Sequence, residues 1–167
     1  GNGKEKEKGK GNNNAHSHQA DADISEDTMW EELPVEPAKE AAFNSAGITV
    51  KDVDTAQFYD AFTPLPLLQM EQYGFCGAGE AGEYLKAGKG TQDGGETPMN
   101  TSGTELSWGY LQGYSHMVES VRQVRGEARE TQVKDVEIGM STGLGGTGTQ
   151  PTGSLAHSCL ILGKNSG

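Results

Sequence analysis

Three apolar runs with helical spacing each stop at a glycine, and short β-forming segments lie between them. That alternation directs the chain to a layered α/β domain. The first run starts with Pro37 and sets Ala38, Ala41, Ala42 and Ala46 at helical intervals before Gly47. The second passes from Thr63 through Leu65, Leu67, Leu68 and Met70 to Gly74. It is apolar on most sides, so it predicts a helix that is largely buried or at an interface. Thr63 is placed to cap it, with Pro64 and Pro66 in its first turn. The third runs from Tyr110 to Arg125: Leu111, Tyr114, Met117, Val118, Val121 and Val124 form a continuous stripe, and Gly126 ends it. Strands are predicted at Thr55–Tyr59, Val136–Met140 and Ser154–Leu162, the last two separated by the tract Gly143–Gly148. Residues 77–99 are glycine-rich and read as an excursion facing an active site or a dimer partner.

The length of 167 residues fits one domain. Residues 1–34 read as a flexible polar segment, with a Lys/Glu alternation from Lys4 to Lys10 and an Asn run at Asn12 to Asn14, and the ordered domain as 35–167. His16 and His18 belong to that solvated segment, and no metal site is expected. The net charge of -11, from 24 acidic against 13 basic residues, opposes nucleic acid and anionic membrane surfaces. No apolar run approaches the roughly 18 residues a membrane span requires. Cys76 and Cys159 show no CxxC spacing, which suits reduced thiols in a cytoplasmic protein. Both read as small core fillers, and His116 and His157 as structural residues of a helix and a strand. The chain begins with Gly1 and is expected to be a fragment.

Tyrosines offer the best chemistry. Tyr110 follows Gly109 and is predicted to open the third helix, where exposed N–H groups stabilise a phenolate or a bound oxyanion. The competing reading is that it merely packs at a helix start. Tyr59 lies at a strand-to-helix junction, a usual ligand position in α/β proteins. Its neighbour Asp60 points to the opposite strand face and is expected to hold the loop by accepting backbone hydrogen bonds. The tract Gly143–Gly148, with Gly145 and Gly146 at its centre, can bring backbone N–H donors close to developing negative charge. It is not a P-loop, because no Gly-Lys-Ser/Thr follows.

Taken in order, Tyr59-Asp60-Ala61-Phe62, Gly74-Phe75-Cys76 with Gly79-Glu80, Asn100-Thr101-Ser102-Gly103, Gly109-Tyr110 and Gly143–Gly148 resemble the C-terminal half of thiolase-fold enzymes. The likeness is to the lipid-transfer-protein or sterol-carrier-type branch, which includes steroid side-chain retro-aldolases, and it covers residues 37–163. Thiolases resemble the second loop as Asn-x-x-Gly-Gly ending in Gly-His-Pro; here Thr104 replaces a glycine and Tyr110-Leu111 replace His-Pro. Met140, Ser141 and Thr142 stand where the family's acid/base cysteine is found. The resemblance therefore implies catalytic roles for Tyr59 and Tyr110, and substrate-binding roles for Asn100, Gly103, Gly109, Gly145 and Gly146.

The implied activity is making or breaking a C–C bond in an acyl-CoA, favoured as retro-aldol cleavage of a β-hydroxyacyl-CoA. One alternative is acyl transfer by a nucleophilic cysteine in an N-terminal half. Another is a non-catalytic subunit that binds lipid or acyl-CoA. The resemblance further implies a homodimer, an OB-fold and zinc-ribbon partner that binds acyl-CoA, and no cofactor beyond the CoA thioester substrate. The C-terminal half alone is expected to be inactive.

Overall fold

The computed structural model describes residues 33, 35–146 and 155–164. The polar segment over 1–34, Leu33 apart, lies outside the described residues, as do His16, His18, Thr147 and Gly148. Helix α1 spans Val35–Ala46, buries Val35 and Phe43, and stops at Gly47 with φ +67. Strand β1 is Thr55–Gln57, shorter than the expected Thr55–Tyr59. Its end has a local cause. The Phe58 N–H is taken by Asn100 Oδ1 at 2.7 Å and the Tyr59 N–H by Thr142 Oγ1 at 2.9 Å, so side chains replace a neighbouring strand as their partners.

Helix α2, Pro64–Tyr73, buries Leu65, Gln69, Met70 and Tyr73. Thr63 does not cap it: its backbone is already helical (φ -50, ψ -39) and its side chain makes no capping bond. The prolines in the first turn lower the demand for a cap, because they bring no N–H to satisfy. Gly74, at φ +88, closes the helix with its N–H on Met70 O. The excursion then forms a helix that the sequence did not suggest, α3 at Ala81–Lys86, anchored by the buried ring of Tyr84. It returns beside β1 through Ala56 N–Pro98 O at 3.1 Å and Asn100 N–Ala56 O at 3.0 Å. This return brings Asn100 next to Phe58.

Two long strands complete the sheet: β2 at Ile138–Gly146 and β3 at Leu155–Gly163, in the order β1-β2-β3. β1 pairs with β2 in parallel and β2 with β3 antiparallel, with Gln57 opposite Ser141 and Leu144 opposite His157. The sheet is therefore mixed, with one parallel and one antiparallel pairing. β2 runs on through Gly143, Gly145 and Gly146, which the sequence suggested as a turn. At Gly143 a side chain would meet Ser158 Oγ at 2.6 Å, so glycine there permits strand pairing instead of ending it. The main core gathers Val35, Phe43, Val53, Phe58, Leu65, Met70, Tyr73 and Met140. No helix among the described residues is long and apolar enough to cross a membrane.

Candidate active site

Between Asn100 and the last long helix the chain makes a short helix, α4, at Thr104–Trp108, then a loop over Gly109–Gly113, then α5 at Tyr114–Arg125. Tyr110 therefore does not open a helix, a correction to the sequence reading. Gln112 (φ +52) and Gly113 (φ +86) are consecutive left-handed residues, and no α-helix propagates through them. The loop instead carries Tyr110 outward, 63 % exposed, with its hydroxyl 3.2 Å from the hydroxyl of Tyr59. Tyr59 is only 5 % exposed. Its ring packs on Gly113, where an added Cβ would lie 3.4 Å from Cδ2. The two tyrosines come together by a loop and not by a helix terminus.

Helix α5 is turned the opposite way from what its apolar stripe suggests. Tyr114, Val118 and Val121 face solvent, while Ser115, His116, Glu119, Ser120 and Gln123 are buried with Val124. The polar residues recur at helical intervals just as the valines do, so periodicity marks both faces equally. Inside, Glu119 and Gln123 of this face join a hydrogen-bond network with Thr101 and Gln57. Thr101 Oγ1 donates to Glu119 Oε1 at 2.6 Å and Gln57 Oε1 accepts the Thr101 N–H at 3.1 Å. Gln123 Nε2 donates to Glu119 Oε1 at 2.9 Å. This network fixes the Asn100 loop against β1 and α5.

Beneath the tyrosine pair lie three buried ionisable groups: Asp60, Glu105 and His116. His116 Nε2 sits 3.2 Å from Asp60 Oδ1, at ion-pair distance but poorly aligned for a hydrogen bond, and its ring meets that of Tyr59 edge-on with centroids 6.1 Å apart. Burial lowers the His116 pKa below the ordinary imidazole value, against the opposing pull of Asp60 and Glu105. Asp60 Oδ1 accepts the Glu105 N–H at 3.3 Å, which is the backbone-holding part expected of it. Glu105 Oε1 in turn accepts the Gly113 N–H. The phenol of Tyr59 is pushed well above its ordinary pKa, first by burial, then by its bond to Tyr110, then by the charges of Glu105 and Asp60. Tyr59 thus holds its proton, while Tyr110 meets solvent and any ligand.

The remaining candidates fall into two groups. Asn100 is bound to Phe58 at both ends of its amide, Oδ1 accepting from Phe58 N at 2.7 Å and Nδ2 donating to Phe58 O at 3.0 Å. Its amide is a tie between the two tyrosine-bearing loops. Gly103 (φ +78) and Gly109 (φ +85, ψ 157) supply backbone shapes that start and end α4. Gly145 and Gly146 pair with Ala156 and Leu155 in the β2–β3 ladder. Glu105 and His116 are the site residues that sequence reasoning missed. For His116 the available signal was its shared helical face with Glu119, Ser120 and Gln123, whereas Glu105, on α4, belongs to no such stripe.

Neither cysteine belongs to this site. Cys159 lies with Tyr73, whose hydroxyl is 2.8 Å from His157 Nε2, and burial raises its thiol pKa. Cys76 is half-buried near Glu71 and Glu80, and burial raises its thiol pKa too. Among the described residues there is no group of three or more His, Cys, Asp or Glu placed to hold a metal ion.

Comparison with known proteins gives a consistent picture. The family described as thiolase C-terminal domain-like matches residues 14–162. A 17-hydroxy-3-oxo-4-pregnene-20-carboxyl-CoA lyase of Mycobacterium tuberculosis is 42% identical over 118 residues, 71% of this chain and 28% of the lyase. A steroid side-chain-cleaving aldolase of Thermomonospora curvata is 37% identical, over 74% of this chain and 29% of the aldolase. Among solved structures, an Ltp2-ChsH2(DUF35) aldolase superposes with a TM-score of 0.66 at 32% identity, covering 78% of this chain and 31% of that one. The chain thus spans under a third of the length of these relatives.

Proposed function

Because this chain belongs to the thiolase C-terminal domain-like family, we propose that it supplies the tyrosine pair of a retro-aldolase acting on a β-hydroxyacyl-CoA. The observation that carries this reading is the 3.2 Å approach of the buried Tyr59 hydroxyl to the exposed Tyr110 hydroxyl. Two phenols converging on one point, one shielded and one open, are suited to one substrate oxygen region. Tyr110 serves as the base that takes the proton of the β-hydroxyl. The Cα–Cβ bond breaks, the β-carbon leaves as a carbonyl, and the electron pair passes into the thioester enolate. Tyr59, which keeps its proton, donates to the developing enolate oxygen. The proton held by Tyr110 then returns to Cα. No cofactor enters this scheme, because the thioester is its own electron sink.

The names of the relatives support a lyase in preference to an acyl transfer, and a steroid or similar polycyclic acyl chain as substrate class. The related aldolase structure, which joins Ltp2 to ChsH2(DUF35) by name, supports a DUF35 partner subunit. We extend the proposal to a homodimer, on the family resemblance alone, and to a cytoplasmic setting in keeping with two unpaired cysteines. The test uses the full-length protein with its co-purifying partner. Tyr59→Phe and Tyr110→Phe are each assayed by mass spectrometry for conversion of a β-hydroxyacyl-CoA to a carbonyl product and a shortened acyl-CoA. Wild-type rates in both variants would end the tyrosine mechanism.

A further inference from the structure

We infer that Glu105 is a positioning residue, whose carboxylate clamps the far end of the Tyr110 loop through the Gly113 N–H and so sets the Tyr110 phenol against Tyr59. The inference rests on the retro-aldol reading for its effect on turnover, but the clamp itself is independent of it. The loop's other ties are the Tyr59–Tyr110 hydroxyl contact, the packing of Gly113 on the Tyr59 ring and a turn bond from the Tyr114 N–H to Leu111 O at 3.2 Å. Tyr110 and Leu111 are 63 % and 51 % exposed, so their burial contributes little to its order. Its backbone is also unusual, with Gly109 at φ +85 and Gln112 and Gly113 at φ +52 and +86. Gln112 in particular lies in the region that favours glycine, and such a conformation persists only where its surroundings over-determine it.

Glu105 supplies that determination. Its Oε1 accepts the N–H of a residue eight positions later, tying the loop's end back onto α4. Its own N–H is held by Asp60 Oδ1 at 3.3 Å, and Asp60 adjoins Tyr59 in sequence, so the clamp is referenced to the same segment that presents the Tyr59 ring. The residue is only 8 % exposed, so water competes little for this bond. Its second oxygen, Oε2, is buried without a hydrogen-bond partner.

The test compares Glu105→Ala and Glu105→Gln in the full-length enzyme. In Glu105→Ala, kcat is expected to fall about 10- to 100-fold with KM changed by less than about twofold, the mark of misplaced reacting groups. Hydrogen exchange of the peptide 109–114 is expected to speed up about tenfold or more, with exchange in β2 unchanged. Glutamine keeps an acceptor at the same place, so Glu105→Gln restores loop protection and returns kcat to within about threefold of wild type. Should the alanine variant not fold, Glu105→Asp withdraws the carboxylate by one methylene and is read in the same way. Unchanged loop exchange in the alanine or aspartate variant overturns the inference, as does a loss of kcat without faster exchange. If exchange responds as expected but no form of the enzyme cleaves a β-hydroxyacyl-CoA, the clamp stands and the retro-aldol reading fails.

Discussion

Tyr59 and Tyr73 are both buried tyrosines whose phenols burial holds above the ordinary range, yet they do different things. Tyr73 sits among the rings of Phe43, Phe58 and His157, with centroids 5.7 to 6.3 Å away. Its hydroxyl is paired with His157, an imidazole that burial pushes down to about 4 and so keeps neutral near pH 7. Tyr59 is paired with a phenol that stands in solvent and has carboxylates behind it. The lesson is that a buried tyrosine becomes a candidate for catalysis through its partner. A hydroxyl closed off by a neutral core neighbour stabilises the fold, whereas one that reaches an exposed group can pass a proton to a ligand.

The strongest way to break this comparison is to remove the hydroxyls one at a time in the full-length enzyme. Tyr59→Phe and Tyr110→Phe are each expected to lower kcat about 10²- to 10⁴-fold, the range for positioned acid–base groups. Tyr73→Phe should leave kcat within about twofold; a catalytic loss there as large as at Tyr59 would erase the distinction. Phe58 packs against both Tyr73 and Phe75 and precedes Tyr59 in sequence, so it joins the two regions. Phe58→Ala is expected to cost about 3–5 kcal/mol of stability by urea unfolding, the range for truncating a buried ring.

Tyr73→Phe sharpens the structural half. It leaves His157 Nε2 without its partner and should destabilise the fold by about 1–3 kcal/mol, also measured in urea. Gly113→Ala, at φ +86 and against the Tyr59 ring, is expected to cost about 1–2 kcal/mol and to lower kcat with it. A further effect is on pH. His157 titrates at about 4 when folded and about 6.5 when unfolded, so between those values the unfolded chain binds more protons. Its contribution is therefore fully present above about pH 6.5 and lost as the pH falls toward 4. His116, also lowered, acts in the same direction. A His157→Gln variant should show a shallower fall of the urea midpoint across that window.

Much of the fold was legible because its signals are local. Gly47, Gly74 and Gly126 end helices as expected, each with the positive φ that glycine adopts without strain. The apolar α2 buries Leu65 and Met70, and the sequence order of strands and helices pointed to the layered α/β domain that forms. Where the reading failed, the deciding contact was distant in sequence. β1 ended early because Asn100 and Thr142, 42 and 83 residues away, took the N–H groups of Phe58 and Tyr59. α3 depended on Tyr84 finding the core. β2 ran through its glycines because Ser158 on β3 needed the space at Gly143.

The site divides along the same line. Sequence by itself determined that tyrosines stand at both motif positions, that glycines flank the second, and that no Gly-His-Pro follows Asn100. These facts are carried by residue identity, and no folding is needed to read them. Tertiary structure alone decided which face of α5 turns inward, since its valine stripe and its polar stripe share one period and only the network around Glu119 and Gln123 distinguishes them. It alone brought Glu105, Asp60 and His116 beneath Tyr59, because a pairing between residues 45 or 56 positions apart leaves no periodic trace in the chain.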